Sequence, residues 1–307
     1  MLSFLIRRIL QTIPTVLAVV LLVFVLFSIV PGSIASTMSD DVDPQVEARM
    51  KKQLGLDEPV YVRFGAYIAK LATGDFGTSF RTREPVTAMI AKRTWPTLQL
   101  IFAAMAFAVV VGVPLGFIAA LRPGSIVDTA TMVVAVSGLS MAKFWLGLLL
   151  MYLFALKLGW LPSFGYGDGG GKYLILPAVT LGVSPMALLA RTTRAAVLEI
   201  MTADFVRTAR SKGMSETRVV QWHVMRNAAV LILTTIGLQF GALMGQAVVV
   251  EKLFSWPGIG SLLVDSVLQR DIPAVQGSIL VVVMFFLAIN LLIDLLYGVI
   301  DPRIRYA

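Results

Sequence analysis

The sequence predicts an all-α polytopic membrane protein with about six transmembrane helices. Three observations carry this. Of 307 residues, 57% are hydrophobic and only 14% are charged, against about 45–50% and about 25% in soluble globular chains. Mean hydropathy is +0.83, more apolar surface than one water-facing monomer can bury. The apolar residues also fall into stretches near the roughly 20 residues that cross a hydrocarbon layer. Disorder is excluded, because disordered segments are poor in apolar residues.

The first stretch, 9–30, follows Arg7-Arg8 and stops at Pro31-Gly32. Its apolar run exceeds the 7–15 residues usual for a signal peptide and no small-x-small cleavage site closes it, so it reads as a retained helix. In the outer loop that follows, Val46, Met50 and Leu54 at helical spacing predict a short amphipathic helix over 44–54, ended by Gly55. Residues 71–80, with Gly74 and Gly77, read as turn. The remaining spans are expected at 97–121, 129–156, 174–198, 228–250 and 276–300. The fourth is the weakest, because Pro177, Pro185, Arg191 and Arg194 interrupt it; without it the count falls to five. Gly112, Gly116, Ala119 and Ala120 read as close-packing positions between helices. Trp160 and Trp256, each beside a chain reversal, read as membrane-interface anchors, with a gating or docking role as the alternative.

The net charge of +8 invites a nucleic-acid reading until its placement is examined. With a cytoplasmic N-terminus and six spans, the inside segments hold Arg7, Arg8, Arg122, Arg207, Arg210, Lys212, Arg218, Arg226, Arg303 and Arg305. The short outside segments hold Lys157, Lys172, Lys252 and Arg270. Residues 32–95 carry nine Lys or Arg against eight acids, but long loops translocate largely regardless of charge. The basic excess therefore reports topology, with both termini cytoplasmic, and no nucleic-acid partner is expected.

The inventory for catalysis is thin. There is no Cys and one histidine, His223, so no disulfide, thiol chemistry or two-His zinc site is expected. Gly138-Leu139-Ser140 is half of a nucleophile elbow, with Ala142 in place of the second glycine. Gly169-Gly170-Gly171-Lys172 resembles the end of a phosphate loop, but Tyr173 replaces the hydroxyl residue and Tyr166 the first glycine. No catalytic residue and no metal ligand is assigned. Polar residues within spans are the default functional candidates. Asn290 and Asp294 lie four apart on one face of the last span, with Tyr297 a turn further. Interhelical hydrogen bonding and substrate contact are both open for them. Lys143, beside Phe144-Trp145, either lines a translocation path or snorkels to an interface.

The strongest local signal is the loop 199–227. Asp204 is expected to cap a short helix carrying Phe205, Val206 and Ala209 on one side, and Gly213 to stop it in the C′ position. Ser215 is expected to cap a second short helix over 216–225, with Glu216 in its first turn. Such an element wants a groove on another protein, with an interfacial helix on anionic lipid as the alternative.

These residues resemble a known family. Asp204-Phe205-Val206-Arg207-Thr208-Ala209-Arg210-Ser211-Lys212-Gly213, followed by Trp222-His223-Val224-Met225-Arg226-Asn227-Ala228, resembles the cytoplasmic signature loop of ABC-importer permeases. The version is that of the dipeptide/oligopeptide/nickel family. The likeness spans nearly the whole chain, through Gly55-Leu56-Asp57-Glu58-Pro59, Gly74-Asp75-Phe76-Gly77-Thr78-Ser79, Phe254-Ser255-Trp256-Pro257-Gly258-Ile259-Gly260, Arg270-Asp271-Ile272-Pro273 and Asp301-Pro302-Arg303. Leu231, Ala142 and Ser33-Ile34 depart from it, standing where the family commonly has Pro, Ser-x-Pro and Asp-Pro.

The resemblance implies a type I ABC-importer permease fold and the first, B-type, of two paired permeases in a bacterial inner membrane. It divides the chain into an N-terminal helix (1–31), a periplasmic loop (32–95) and a core permease domain (96–307). The ATPase-docking residues it implies are Ala209, Gly213, Ser215, Glu216, Arg218, Val219, Val220, Trp222 and His223. The implied partners are a second homologous permease, two cytoplasmic ABC ATPases, an extracytoplasmic substrate-binding protein and membrane lipid. ATP and Mg belong to the ATPases, and no cofactor is bound by this chain. The implied cargo is di- or oligopeptide, with nickel, glutathione or oligosaccharide as alternatives. From other classes, an intramembrane enzyme or stand-alone channel is the rival reading.

Overall fold

A computed structural model describes residues 2–29, 58–167, 169 and 171–300, without the side chains of 2–9, 28–29 and 294–300. Pro31-Gly32, the helix expected over 44–54, positions 55–57, Gly170 and Asp301-Pro302-Arg303 lie outside the described residues, as do the side chains of Arg7, Arg8, Asp294 and Tyr297. The helices are α1 (Leu2–Ile29), α2 (Val60–Ala72), α3 (Val86–Leu121), α4 (Ile126–Ser140), α5 (Lys143–Leu150), α6 (Gly171–Met201), α7 (Asp204–Ser211), α8 (Glu216–Arg218), α9 (Arg226–Leu253), α10 (Ile259–Leu268) and α11 (Ile272–Ile300). A π-helical stretch, Met151–Lys157, prolongs α5; another, Val219–Met225, joins α8 to α9.

The centre of the fold is the pair α3 and α6, which touch backbone to backbone. A Cβ on Gly112 would lie 2.5 Å from the Met186 carbonyl oxygen, and one on Gly182 would lie 2.6 Å from that of Ala104. Gly116 faces Ala190 as closely, and Ala119 and Ala120 are buried. Small residues permit this approach where no water-driven force holds helices together.

The contacts also fix direction. Ala104, Met186 and Ala190 face Gly182, Gly112 and Gly116 in ascending order, so α3 and α6 run parallel. The chain must return across the molecule between them. It does so through α4 and α5, whose axes differ by 111°. Asp128 at the start of α4 pairs with Arg194 near the end of α6, Gly138 packs on Val183, and Gly147 on Thr180. From Asp128 to Gly147 the bent pair passes along α6 from Arg194 to Thr180, the direction that a single broken crossing takes. α1, α3, α6, the α8–α9 helix and α11 are each long and apolar enough to cross a membrane, so the described residues hold five candidate crossings, or six with the bent pair counted as one. We call the face bearing residues 204–226 the near face, and the face where α3 and α6 begin the far face.

Two expectations are corrected and one is met. The span 129–156 is not one helix: Met141 (φ −74°, ψ 132°) and Ala142 (φ −65°, ψ 130°) are both extended and break it without a proline. The span expected at 174–198 is present and unbroken through Pro177 and Pro185, in a helix largely buried among others, where helix-breakers are tolerated. The helix after the outer loop starts at Val86 and passes through Pro96, so residues 95 and 96 lie in one continuous helix.

On the far face a second apolar cluster joins Val86 and Ile90 of α3, Ile259 and Leu262 of α10, and Ala274 of α11, with Phe76 against it. Helix α1 lies at the edge. Thr12, Ile13, Val16 and Leu17 border Leu291 of α11. Phe24 meets Phe64 and Tyr67 of α2 at ring-centroid distances of 5.2 and 5.7 Å.

Candidate functional site

On the near face, α6 ends in a turn and Ala203, extended (φ −68°, ψ 148°), is the N-cap of α7. Asp204 therefore falls in the first helical turn and is no cap. It still opposes the positive helix end and lies 3.8 Å from Arg207. Val206 and Ala209, three apart, are buried, while Phe205 stays 45% exposed. The expected one-sided trio is thus split. Gly213 takes φ +76°. The Gly213 amide donates to the Arg210 carbonyl at 2.9 Å and the Met214 amide to the Ala209 carbonyl at 3.3 Å. This pair of bonds is a Schellman ending, which favours glycine at C′.

Ser215 is the N-cap of α8, as expected, through its backbone: its carbonyl accepts from the Val219 amide at 3.0 Å, and its hydroxyl makes no cap bond. Arg210 then reaches across the glycine turn to Glu216, Nε to Oε1 at 2.7 Å and Nη2 to Oε2 at 3.3 Å. The second helix is not free-standing. Residues Glu216–Leu253 form one helix of 38 residues. Its π stretch puts Val219 and Val224, five apart, on the buried side before the period returns at Ala228 and Ile232. Ala209 and Val219 therefore pack inward. Arg218 is exposed, Val220 and His223 are half-buried, and Trp222 is 65% exposed.

One ion pair was not anticipated. Asp128 is 4% exposed and receives Arg194 Nε at 2.5 Å and Nη2 at 2.8 Å. It also accepts from the Gly124 amide at 2.9 Å, while Ser125 Oγ accepts from the Asp128 amide at 3.2 Å. The spacing Ser125-x-x-Asp128 ahead of an apolar run is a capping-box signal. Only the arginine on α6 was beyond its reach.

The proposed path residues meet α9 separately. Lys143 Nζ donates to Gln246 Oε1. Asn290 faces Gly241, where a Cβ would lie 3.3 Å from its Oδ1. Positions 241 and 246 are about 140° apart around a helix, so Lys143 and Asn290 address different sides of it.

The far face holds a network that sequence reasoning missed. Glu251, near the end of α9, is fully buried. Its Oε1 accepts from Thr97 Oγ1 at 2.7 Å and its Oε2 from the Ser261 amide at 3.0 Å. Thr97 Oγ1 in turn accepts from the Ile259 amide at 2.8 Å. Together they cap α10, whose N-cap is Gly258, and the helix end favours the negative charge. A Cβ on Gly258 would collide with the Glu251 carboxylate. Trp256 is fully buried and donates Nε1 to the Pro96 carbonyl at 2.8 Å. Trp256 is therefore no interface anchor, whereas Trp160 is 65% exposed. Beside this, Ser79 Oγ donates to Asp271 at 2.5 Å and the Phe80 amide donates to the same carboxylate at 3.1 Å. Two outer motifs 192 residues apart thus meet.

Comparison with known proteins agrees with this architecture. Residues 112–306 match the binding-protein-dependent transport system inner membrane component family, and residues 1–101 match its N-terminal membrane component. The glutathione transport system permease protein GsiC of Escherichia coli (strain K12) is 46% identical over 307 residues, all of both chains. That of Salmonella typhi is 45% identical over the same extent. Among solved structures, the MetNI methionine ABC transporter in inward facing conformations matches with a TM-score of 0.59 at 18% identity, covering 69% of this chain and 96% of that one. An amino acid ABC transporter matches with a TM-score of 0.54 at 15% identity, covering 71% and 94%. The chain belongs to the binding-protein-dependent transport system inner membrane component family and is a permease subunit of an ABC importer.

Proposed function

We propose that this permease docks a cytoplasmic ATPase through residues 204–223 and conducts a peptide-like solute delivered at its far face. The observation that carries the docking assignment is the exposure of Phe205 and Trp222, 45% and 65%, on a firmly braced loop. Exposed aromatic anchors on a preorganised support are what a partner groove uses. Gly213, Ser215, Glu216, Arg218, Val220, Trp222 and His223 supply the contact surface, and buried Ala209 and Val219 supply its floor. Orientation follows the positive-inside rule: Arg122, Arg207, Arg210, Lys212, Arg218 and Arg226 belong to near-face segments, so that face and both termini are cytoplasmic.

The partners are a second permease, two ATPases that carry ATP and Mg, a substrate-binding protein that delivers solute to the far face, and surrounding lipid. Lys143, Asn290 and Asp294 are the path candidates. The cargo class is di- or oligopeptide. Glutathione is the specific second reading, favoured by full-length identity of 45–46% to permeases of that name. Reconstitution with the partner permease, ATPases and binding protein tests both readings. We expect ATP-dependent uptake of labelled glutathione or dipeptide, and none from this chain alone. Flux from this chain alone overturns the subunit role; uptake of a sugar but neither peptide overturns the cargo.

A further inference from the structure

Glu251 occupies a position that the docking proposal leaves unused. It lies at the far end of the same 38-residue helix, Glu216–Leu253, that begins in the near-face loop. That helix is about 57 Å long at 1.5 Å per residue, so it links the two faces in one piece. At its far end every bond to Glu251 is donated to it. Ser261 offers a backbone amide, and Thr97 offers its hydroxyl hydrogen while its oxygen accepts from the Ile259 amide. A carboxylate accepts from both donors at once, whereas an amide can keep the Ser261 bond only by turning its NH₂ to the Thr97 oxygen, which turns the hydroxyl hydrogen away from this side chain. Trp256, between Glu251 and α10, is tied to the Pro96 carbonyl, one residue before Thr97.

We infer that Glu251 is a positioning residue of the transport cycle, one that makes the α8–α9 helix, α10, the loop 254–258 and the far end of α3 move as one body. Displacement of the docking end by the ATPase then reaches α10 on the far face without loss at the α9–α10 turn. This rests on the docking proposal for the near face. It assigns the far end of the helix a task distinct from binding either ATPase or solute.

The test uses the complete reconstituted importer and reads labelled-peptide uptake, ATP hydrolysis and ATPase co-purification in parallel. In Glu251→Gln, the new NH₂ can be met only by the Thr97 oxygen, which breaks the hydroxyl-to-Glu251 bond and loosens the bridge. Uptake per ATP hydrolysed should fall about tenfold, the scale of an ordinary coupling free energy, with the maximal rate lowered and KM unchanged. ATPase co-purification should stay at the wild-type level. Thr97→Val, which removes the bridging hydroxyl, should behave the same way, and Thr97→Ser should restore coupling. If Glu251→Gln does not assemble, the Thr97 pair decides. Wild-type uptake per ATP in Glu251→Gln or Thr97→Val overturns the inference and leaves ATPase docking standing. Equal failure of Thr97→Val and Thr97→Ser overturns it too, since a merely structural side chain would give that result. Failure of the wild-type permease to retain ATPase removes the docking proposal and this inference together.

Discussion

A side chain at position 213 would meet no atom within 4 Å, so the requirement for glycine there is one of backbone alone. Gly213→Leu imposes a left-handed conformation at about 1–2 kcal/mol and places four carbons in the space a partner would occupy. We expect the variant to insert and purify normally and to lose ATPase in a co-purification assay; undiminished retention would refute the docking surface. Trp222 is a sharper probe, because 65% of it is exposed and nothing inside the chain depends on that face. Trp222→Ala should weaken ATPase binding by about 2 kcal/mol or more, the cost usual for an aromatic anchor. The thermal midpoint of the isolated permease should not change. A drop in that midpoint instead would place the indole within the fold.

At the scale of elements, the sequence was most legible where a local rule governs. Gly213 stops α7 and Ser215 precedes α8 because turn chemistry depends on neighbours in the chain. The close-packing role of Gly112 and Gly116 was legible from small residues four apart. It failed where distant residues decide. Met141 and Ala142 break a span with no breaker residue present. Glu251 stood unremarked within an apolar run, since its partners Thr97 and Ser261 are 154 and 10 residues away. The α3–α6 contact gives a direct prediction. In Gly112→Val the new carbons would meet the Met186 carbonyl oxygen, and backbone yields less than a side chain. Overpacking in a dense interior costs about 1–3 kcal/mol, and this site should reach at least the upper part of that range. The thermal midpoint in detergent should fall by several degrees and monodispersity should be lost, whereas Ala178→Ser should be tolerated.

For the whole molecule, the parallel run of α3 and α6 makes the crossing number testable. The chain has no cysteine, so single introduced thiols report sidedness without background. Arg122→Cys, between α3 and α4, and Phe164→Cys, between α5 and α6, should label from opposite sides of a sealed vesicle. Labelling from one side would make the α4–α5 pair a re-entrant hairpin and reduce the crossings to five. The break itself has a thermodynamic consequence. Met141 and Ala142 lie alongside the middle of α6 and stay exposed on the single chain, Met141 at 40%. Peptide groups out of helical register cannot face hydrocarbon without losing several kcal/mol each. A solitary copy in lipid therefore carries a built-in penalty at that depth, relieved when water or another polypeptide reaches the break. The membrane itself thus selects against the unassembled permease, and it does so at the depth where α4 gives way to α5.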